Sequence, residues 1–342
     1  MYYSAIFCNF EGLYTHFCMD KRKIDYIKCH GSGNEFVMIG YIGELNATHV
    51  EDIPLVELAR WACSHDKGLS ADGVLVWVGT AQNGEDMDVM RMFNPDGSEA
   101  EMCGNGIRCV ARAIAEEYGE SEFTVWSGGR SYEITRCEDI YPTMPTFGVK
   151  IPVRLWSDDF RMPQSVEGRF IDTPIEALHP TLRWSAINVG NPHIIAKVEE
   201  VDLELLCNIG ERVTHLREIF PNGVNVSFMK VVSPSEIYVA TFERGAGLTP
   251  SCGTAMTSSA TAAVLMGEIS AGTTVSVCNR GGKVQCRTTV GEEIVTELIG
   301  NATYMSDGSI SYDEGEGYTY TVDYEYTDEQ QLYTQFTESI NH

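Results

Sequence analysis

At 342 residues, with 43% apolar and 21% charged side chains, the chain has the composition of a folded protein with room for two ordinary domains or one large one. A net charge of -25 argues against nucleic acid and anionic membrane as partners, since both would repel such a surface. No apolar run approaches the roughly 18 residues that cross a bilayer. The opening "MYYSAIFCNFEGLYTHFCMDKRK" lacks the early basic segment and long apolar core of a signal peptide, so the expectation is a cytoplasmic protein whose eleven cysteines are reduced thiols.

From about Ile24 strand-like runs alternate with turns: "DYIKCHGSGNEFVMIGYI", "GVLVWVG", "MDVMRMFNPDGS" and "EFTVWSGGRSYEITRC". Between them "IPLVELARWACSHD" has helical spacing, with Leu55, Leu58, Ala59 and Ala62 on one face, and a second helix is expected from Gly104 to about Tyr118, stopped by Gly119. After about residue 125 the pattern restarts. "TFGVKIPVRLW", "LRWSAINVGNPHIIAKV", "GVNVSFMKVVS" and "SEIYVATFERG" read as strands, and "VDLELLCNIGERV" and "GTAMTSSATAAVLMG" as helices. Phe93 precedes Cys103 by ten residues and Phe242 precedes Cys252 by ten, while Gly33-Asn34 and Gly190-Asn191 lie comparably far ahead of their cysteines. These landmarks predict an internal duplication. The last 30 residues carry eight carboxylates and neither lysine nor arginine, which predicts a peripheral acidic tail, either disordered or paired as a strand through its alternating tyrosines.

"EMCGNGIRCVARAI" and "PSCGTAMTSSATAAVLMG" each set a cysteine directly before a helix start. A single cysteine beside a turn reads as a small buried residue; two in matching contexts carry chemistry. Unpaired N–H groups and partial positive charge at a helix N-terminus favour a thiolate, which would draw the thiol pKa toward neutral, and the same groups bind a carboxylate. Gly104 and Gly253 let that carboxylate approach the backbone. With an α-amino acid held between the two helix starts, one thiolate can remove the Cα proton while the opposite thiol returns one to the other face, inverting the centre without pyridoxal phosphate or metal. The cysteines form no Cys-x-x-Cys pair, the histidines lack zinc-ligand spacing, and no Gly-x-Gly-x-x-Gly or Walker-type segment appears, so neither metal nor nucleotide cofactor is expected.

The segments "KCHGSGNEFV", "LSADGVLVW", "FNPDGSEAEMCGNGIRCVARA", "NVGNPHII", "GVNVSFM" and "FERGAGLTPSCGT" resemble, in order from Lys28 to Thr254, those of the diaminopimelate epimerases, with similarity continuing to about Tyr312. The resemblance implies a cofactor-independent enzyme that interconverts L,L- and meso-diaminopimelate for lysine and peptidoglycan synthesis. It implies an α/β (α+β) fold of two pseudo-symmetric domains, each a curved, mostly antiparallel sheet around a central helix, with the active site between them, in a homodimer. Cys103 and Cys252 become the acid/base pair, and Gly104, Asn105, Gly253 and Thr254 supply backbone N–H groups to the reacting carboxylate. Asn34, Asn94, Asn191, Asn225, Glu243 and Arg244 become the remaining recognition residues. Physically, Arg244 suits a distal carboxylate, Glu243 a distal ammonium, and Asn94, Asn191 and Asn225 add amide bonds. Each alone reads equally as a turn or surface residue.

The expected division is an extension over 1–23, a first domain over 24–125 with a returning segment near 300–312, a second over 126–299, and the tail over 313–342. The chain departs from the family pattern at Glu35, where aspartate is usual, and at Ala255 with the following "MTSS"; Gly73 is not diagnostic. His193, after Asn-Pro, reads as a structural hydrogen-bonder, and Cys109 as a buried helix residue. Two alternatives remain at this point: a same-fold racemase of another amino acid, of histidine or proline type, and a non-catalytic small-ligand-binding member of the fold. A cysteine hydrolase would want a Cys-His pair, which nothing singles out.

Overall fold

Strands that alternate buried and more exposed residues, such as Arg130–Arg136 and Gly282–Val290, have one face to cover, while runs buried up to their last residue, such as Gly73–Val78 and Pro192–Lys197, need cover on both. The computed structural model describes residues 23–40, 53–79, 87–100, 102–155, 160–161, 169–313 and 317–340. The expectation for 1–23 lies, apart from Lys23, outside them.

In the first half the strands Lys23–Gly31, Asn34–Gly40, Gly73–Val78, Asp88–Phe93, Glu122–Ser127, Arg130–Arg136 and Thr146–Pro152 pair in succession. Their senses run antiparallel, parallel, antiparallel, parallel, antiparallel, antiparallel. In the second half Arg183–Asn188, Pro192–Lys197, Asn225–Ser233, Glu236–Glu243, Thr274–Asn279, Gly282–Val290 and Ile294–Asn301 repeat that series of senses without exception. The parallel pairs need long crossovers, and these are where the helices sit. Helices α1 (Leu55–Ala62) and α2 (Gly104–Tyr118) occupy the two crossovers of the first half, and α3 (Leu203–Val213) and α4 (Gly253–Leu265) the corresponding crossovers of the second.

The final strands of the two series, Thr146–Pro152 and Ile294–Asn301, pair antiparallel with each other and join the halves. Thr303–Asp313 then returns to pair with Lys23–Gly31. The expected domain boundary at 125/126 falls inside the strand Glu122–Ser127. By the pairing pattern the first repeat runs on through Pro152 and the second begins at Arg183.

The predicted helices form with the expected faces. Leu55, Leu58, Ala59 and Ala62 of α1 are buried against Val37, Ile39, Val74 and Val76. In α2, Gly119 ends the helix in the left-handed conformation, at φ +72°, donating its N–H to Ala115 O. The central helices α2 and α4 share one core with the strands at the junction. Helix α4 is buried all round from Gly253 to Ala263, which requires small side chains; its threonine hydroxyls find partners, whereas those of Ser258 and Ser259 have none among the described residues. Thr257 donates to Gly253 O and Thr261 to Thr257 O, each at 2.8 Å.

The acidic tail is folded where described. Gly317–Glu325 pairs antiparallel with Thr303–Asp313, the strand alternative, and is followed by a helix that the sequence reading lacked, α5 (Thr327–Ile340). Glu329 of α5 makes a two-armed ion pair with Arg112 of α2, at 2.6 and 2.7 Å, and accepts the N–H of Tyr304. The Arg112 guanidinium lies 3.6 Å over the Tyr304 ring. Tyr333 sets its ring edge against His30 of the first half, centroids 4.3 Å apart, and donates to Gly281 O of the second. The tail therefore touches both halves at the back of the cleft described next.

Candidate active site

Cys103 and Cys252 are the N-cap residues of α2 and α4, held at φ -135°, ψ 108° and φ -137°, ψ 108°. This extended conformation ahead of each first turn turns a sulfur toward the N–H groups at the helix start. Cys103 Sγ accepts from Gly106 N at 3.4 Å, and Cys252 Sγ lies 3.4 Å from Thr254 Oγ1. The two helix starts abut at Leu298 of the junction strand. A Cβ on Gly104 would lie 2.7 Å from Leu298 Cδ2, and one on Gly253 would lie 3.0 Å from Asn105 Oδ1, so a larger residue at either place would have to push the Leu298 or Asn105 side chain aside.

A cleft of about 880 Å³ opens over these starts. Cys103, Gly104, Asn105, Cys252, Gly253 and Thr254 line it, together with Asn34, Asn94, Asn191, Glu243 and Arg244. Asn225 does not line it. That side chain is buried behind the wall, its Oδ1 accepting Arg244 N at 2.9 Å and its Nδ2 lying 3.4 Å from His193 Nε2. Its amide orients Arg244 and His193, because the side chain of a first strand residue here points into the core.

Asn105 Nδ2 donates to Asn34 Oδ1 at 3.3 Å, and Asn34 Nδ2 donates to Asp72 at 2.9 Å, which orders one wall. Asn94 is held in its turn by Ser98. On the opposite wall Glu243 accepts from Thr249 Oγ1 at 2.6 Å, and the exposed Arg244 donates to Asn222 O. Among the described residues no carboxylate is paired with Arg244, so the guanidinium can receive an anion.

The buried His193 imidazole lies 2.9 Å from Asn191 Oδ1 and 3.1 Å from Thr254 Oγ1, tying a cleft loop to the first turn of α4. Burial and then the Arg244 charge hold it down at about 3, so it stays neutral, which fits a hydrogen-bonding role. Cys109 is fully buried on α2. Arg130 and Arg154 also line the cleft; the sequence reading missed them, since one sits at a hairpin and the other after a strand with no local motif.

Both thiols depart from the expectation of a pKa near neutral. Burial raises Cys103, opposed by hydrogen bonds from the Gly106 and Asn105 N–H groups and by the Arg108 charge. Cys252 is pushed well above the ordinary thiol value, by burial first and then by the Glu243 carboxylate, with Thr254 opposing. At both sulfurs the loss of water outweighs the helix N–H groups. Among the described residues no group of three or more His, Cys, Asp or Glu side chains is placed to hold a metal ion, and no helix is long and apolar enough to cross a membrane.

The fold is that of the two-domain racemases and epimerases. The structure matches that of a probable proline racemase from Agrobacterium radiobacter K84 with a TM-score of 0.57, at 15% identity, over 86% of this chain and 94% of that one. Within that class the chain belongs to the diaminopimelate epimerase family, whose sequence profile matches residues 26–143 and 185–305. Diaminopimelate epimerase of Clostridium acetobutylicum is 35% identical over 88% of this chain and 90% of its own length. That of Ligilactobacillus salivarius is 38% identical over 84% and 90%.

Proposed function

We propose that the protein is an isomerase that interconverts L,L- and meso-diaminopimelate by two-base proton transfer between Cys103 and Cys252. The observation that carries the reading is the pair of superimposable cysteine N-caps, one from each repeat, lining one cleft in a chain 35–38% identical to proteins of that name. In this reading the reacting α-carboxylate sits on the N–H groups of Gly104, Asn105, Gly253 and Thr254. One cysteine, as thiolate, takes the Cα proton and becomes a thiol. The pair of electrons left behind delocalises into the carboxylate, where the two helix starts stabilise the enediolate. The opposite cysteine gives its proton to the other face of Cα and is left as the thiolate, so charge and protons balance over one turnover.

Arg244 takes the distal carboxylate in this reading, Glu243 the distal ammonium, and Asn34, Asn94 and Asn191 complete the contacts, with Asn225 setting the backbone of Arg244. The protein works in lysine and peptidoglycan-precursor synthesis, as a cytoplasmic homodimer by family resemblance; light scattering at twice 37.9 kDa tests the dimer.

The decisive experiment follows solvent deuterium into Cα of diaminopimelate isomers and a panel of L-amino acids, using reduced protein without added cofactor. Exchange into diaminopimelate alone is expected. Equal exchange into proline or histidine would overturn the substrate, and no exchange into any of them would overturn the activity.

A further inference from the structure

The two cysteine helices match in backbone but not in charge. Five residues after Cys103 stands Arg108, and five after Cys252 stands Thr257. Both side chains reach back to the same carbonyl of their first turns: Arg108 Nη1 donates to Gly104 O and Thr257 Oγ1 to Gly253 O, each at 2.8 Å. One repeat thus carries a full positive charge under its cysteine where the other carries a neutral hydroxyl.

That charge is buried and, among the described residues, has no carboxylate partner. Arg108 is 0% exposed, and its remaining donors go to Asn301 O, Ser32 Oγ and Asn105 Oδ1. The ionisable groups facing it are Cys103 and Cys109 of its own helix, Cys286 of the strand Gly282–Val290, Tyr333 of α5, and His30, which burial and then the Arg108 charge hold neutral. Arg112, one turn further along α2, has Glu116 and Glu329 as partners. A guanidinium left uncompensated in the interior is costly unless a negative charge nearby answers it. At the other helix the imbalance has the opposite sign, since the carboxylate of Glu243 bears on Cys252.

We propose that Arg108 is a positioning residue that sets the resting negative charge of the cysteine pair on Cys103, leaving Cys252, beside Glu243, as the resting thiol. The assignment rests on the two-cysteine reading above and adds the asymmetry that the duplicated fold by itself does not contain. Arg108 touches no substrate; it acts through Cys103 and the first turn of α2.

The test is isotope-labelled iodoacetamide alkylation of the intact reduced protein across a pH series, with the Cys103 and Cys252 peptides quantified separately by mass spectrometry. In the wild type Cys103 reacts at lower pH than Cys252. Arg108→Met raises the Cys103 midpoint and leaves Cys252 nearly unmoved. Arg108→Lys restores most of the shift, which a merely structural role would not do. Prior reaction of Cys252 in the wild type, or an unmoved Cys103 midpoint in natively folded Arg108→Met, overturns the proposal. If Arg108→Met does not fold, the wild-type order alone decides. Alkylation needs no substrate, so an enzyme with the expected order but no exchange into diaminopimelate refutes the function and leaves the charge assignment standing.

Discussion

The first and second repeats present their cysteines with backbone angles of φ -135° and -137° at the same ψ of 108°, yet they surround them differently. The first has a polar, charged helix with Arg108 and Arg112 inside; the second has a helix rich in alanine, serine and threonine, in which Thr257 and Thr261 donate back to Gly253 O and Thr257 O. On the proposed mechanism, duplication supplies two opposed donors for one carbon, and divergence around them decides which sulfur is the better resting base. A symmetric reaction therefore needs only the N-caps to be alike.

Removing either cysteine breaks the comparison most directly. Cys103→Ala and Cys252→Ala should each lower epimerisation by about 10²–10⁴-fold, the weight of one general acid or base, measured by polarimetry on diaminopimelate. Full turnover in either variant would remove that repeat from the chemistry. Arg244→Ala, in the second repeat only, should lower kcat/KM for diaminopimelate by about 50-fold, the scale of a lost charge-assisted pair. An unaffected value would show that the distal carboxylate is held elsewhere.

Leu298→Ala acts on the seam. It opens a cavity where both helix starts meet and should cost about 2–5 kcal/mol in urea unfolding, with alkylation of both cysteines changed together. A change confined to one cysteine would show that the repeats are less tightly coupled than the packing at Leu298 indicates.

The smallest effect concerns the buried histidine that each repeat sets behind the cleft. His30 and His193 are both held at about 3, against about 6.5 in an unfolded chain. The unfolded chain binds protons that the folded one refuses, so this contribution is complete above about pH 6.5 and is lost as pH falls toward 3. The urea midpoint at pH 5 should lie below that at pH 7, and His30→Gln should reduce the difference. Identical midpoints would contradict neutral burial of both rings.

The repeat was legible because its landmarks are local: a Gly-Asn turn ahead of a strand, a Phe ten residues before a cysteine, a glycine after it. The faces of α1 and the stop of α2 followed from spacing and from Gly119. Helix α5 was missed although Leu332, Phe336 and Ile340 keep a four-residue spacing, because the carboxylates around them dominate the composition. Only in the fold does Glu329 meet Arg112. Asn225 lies in a segment like the family's, yet its buried side chain bonds Arg244 N and lines no part of the cleft.

By itself the sequence determined that two cysteine-capped helices exist and that they recur in matching surroundings, since caps, turns and periodicity are properties of neighbours along the chain. Tertiary structure decided the joining of the halves through Thr146–Pro152 and Ile294–Asn301, the packing of the tail against both, and the upward shift of both thiols. Those depend on which groups lose water and which charges come to face one another, and both are set by residues far apart in the chain.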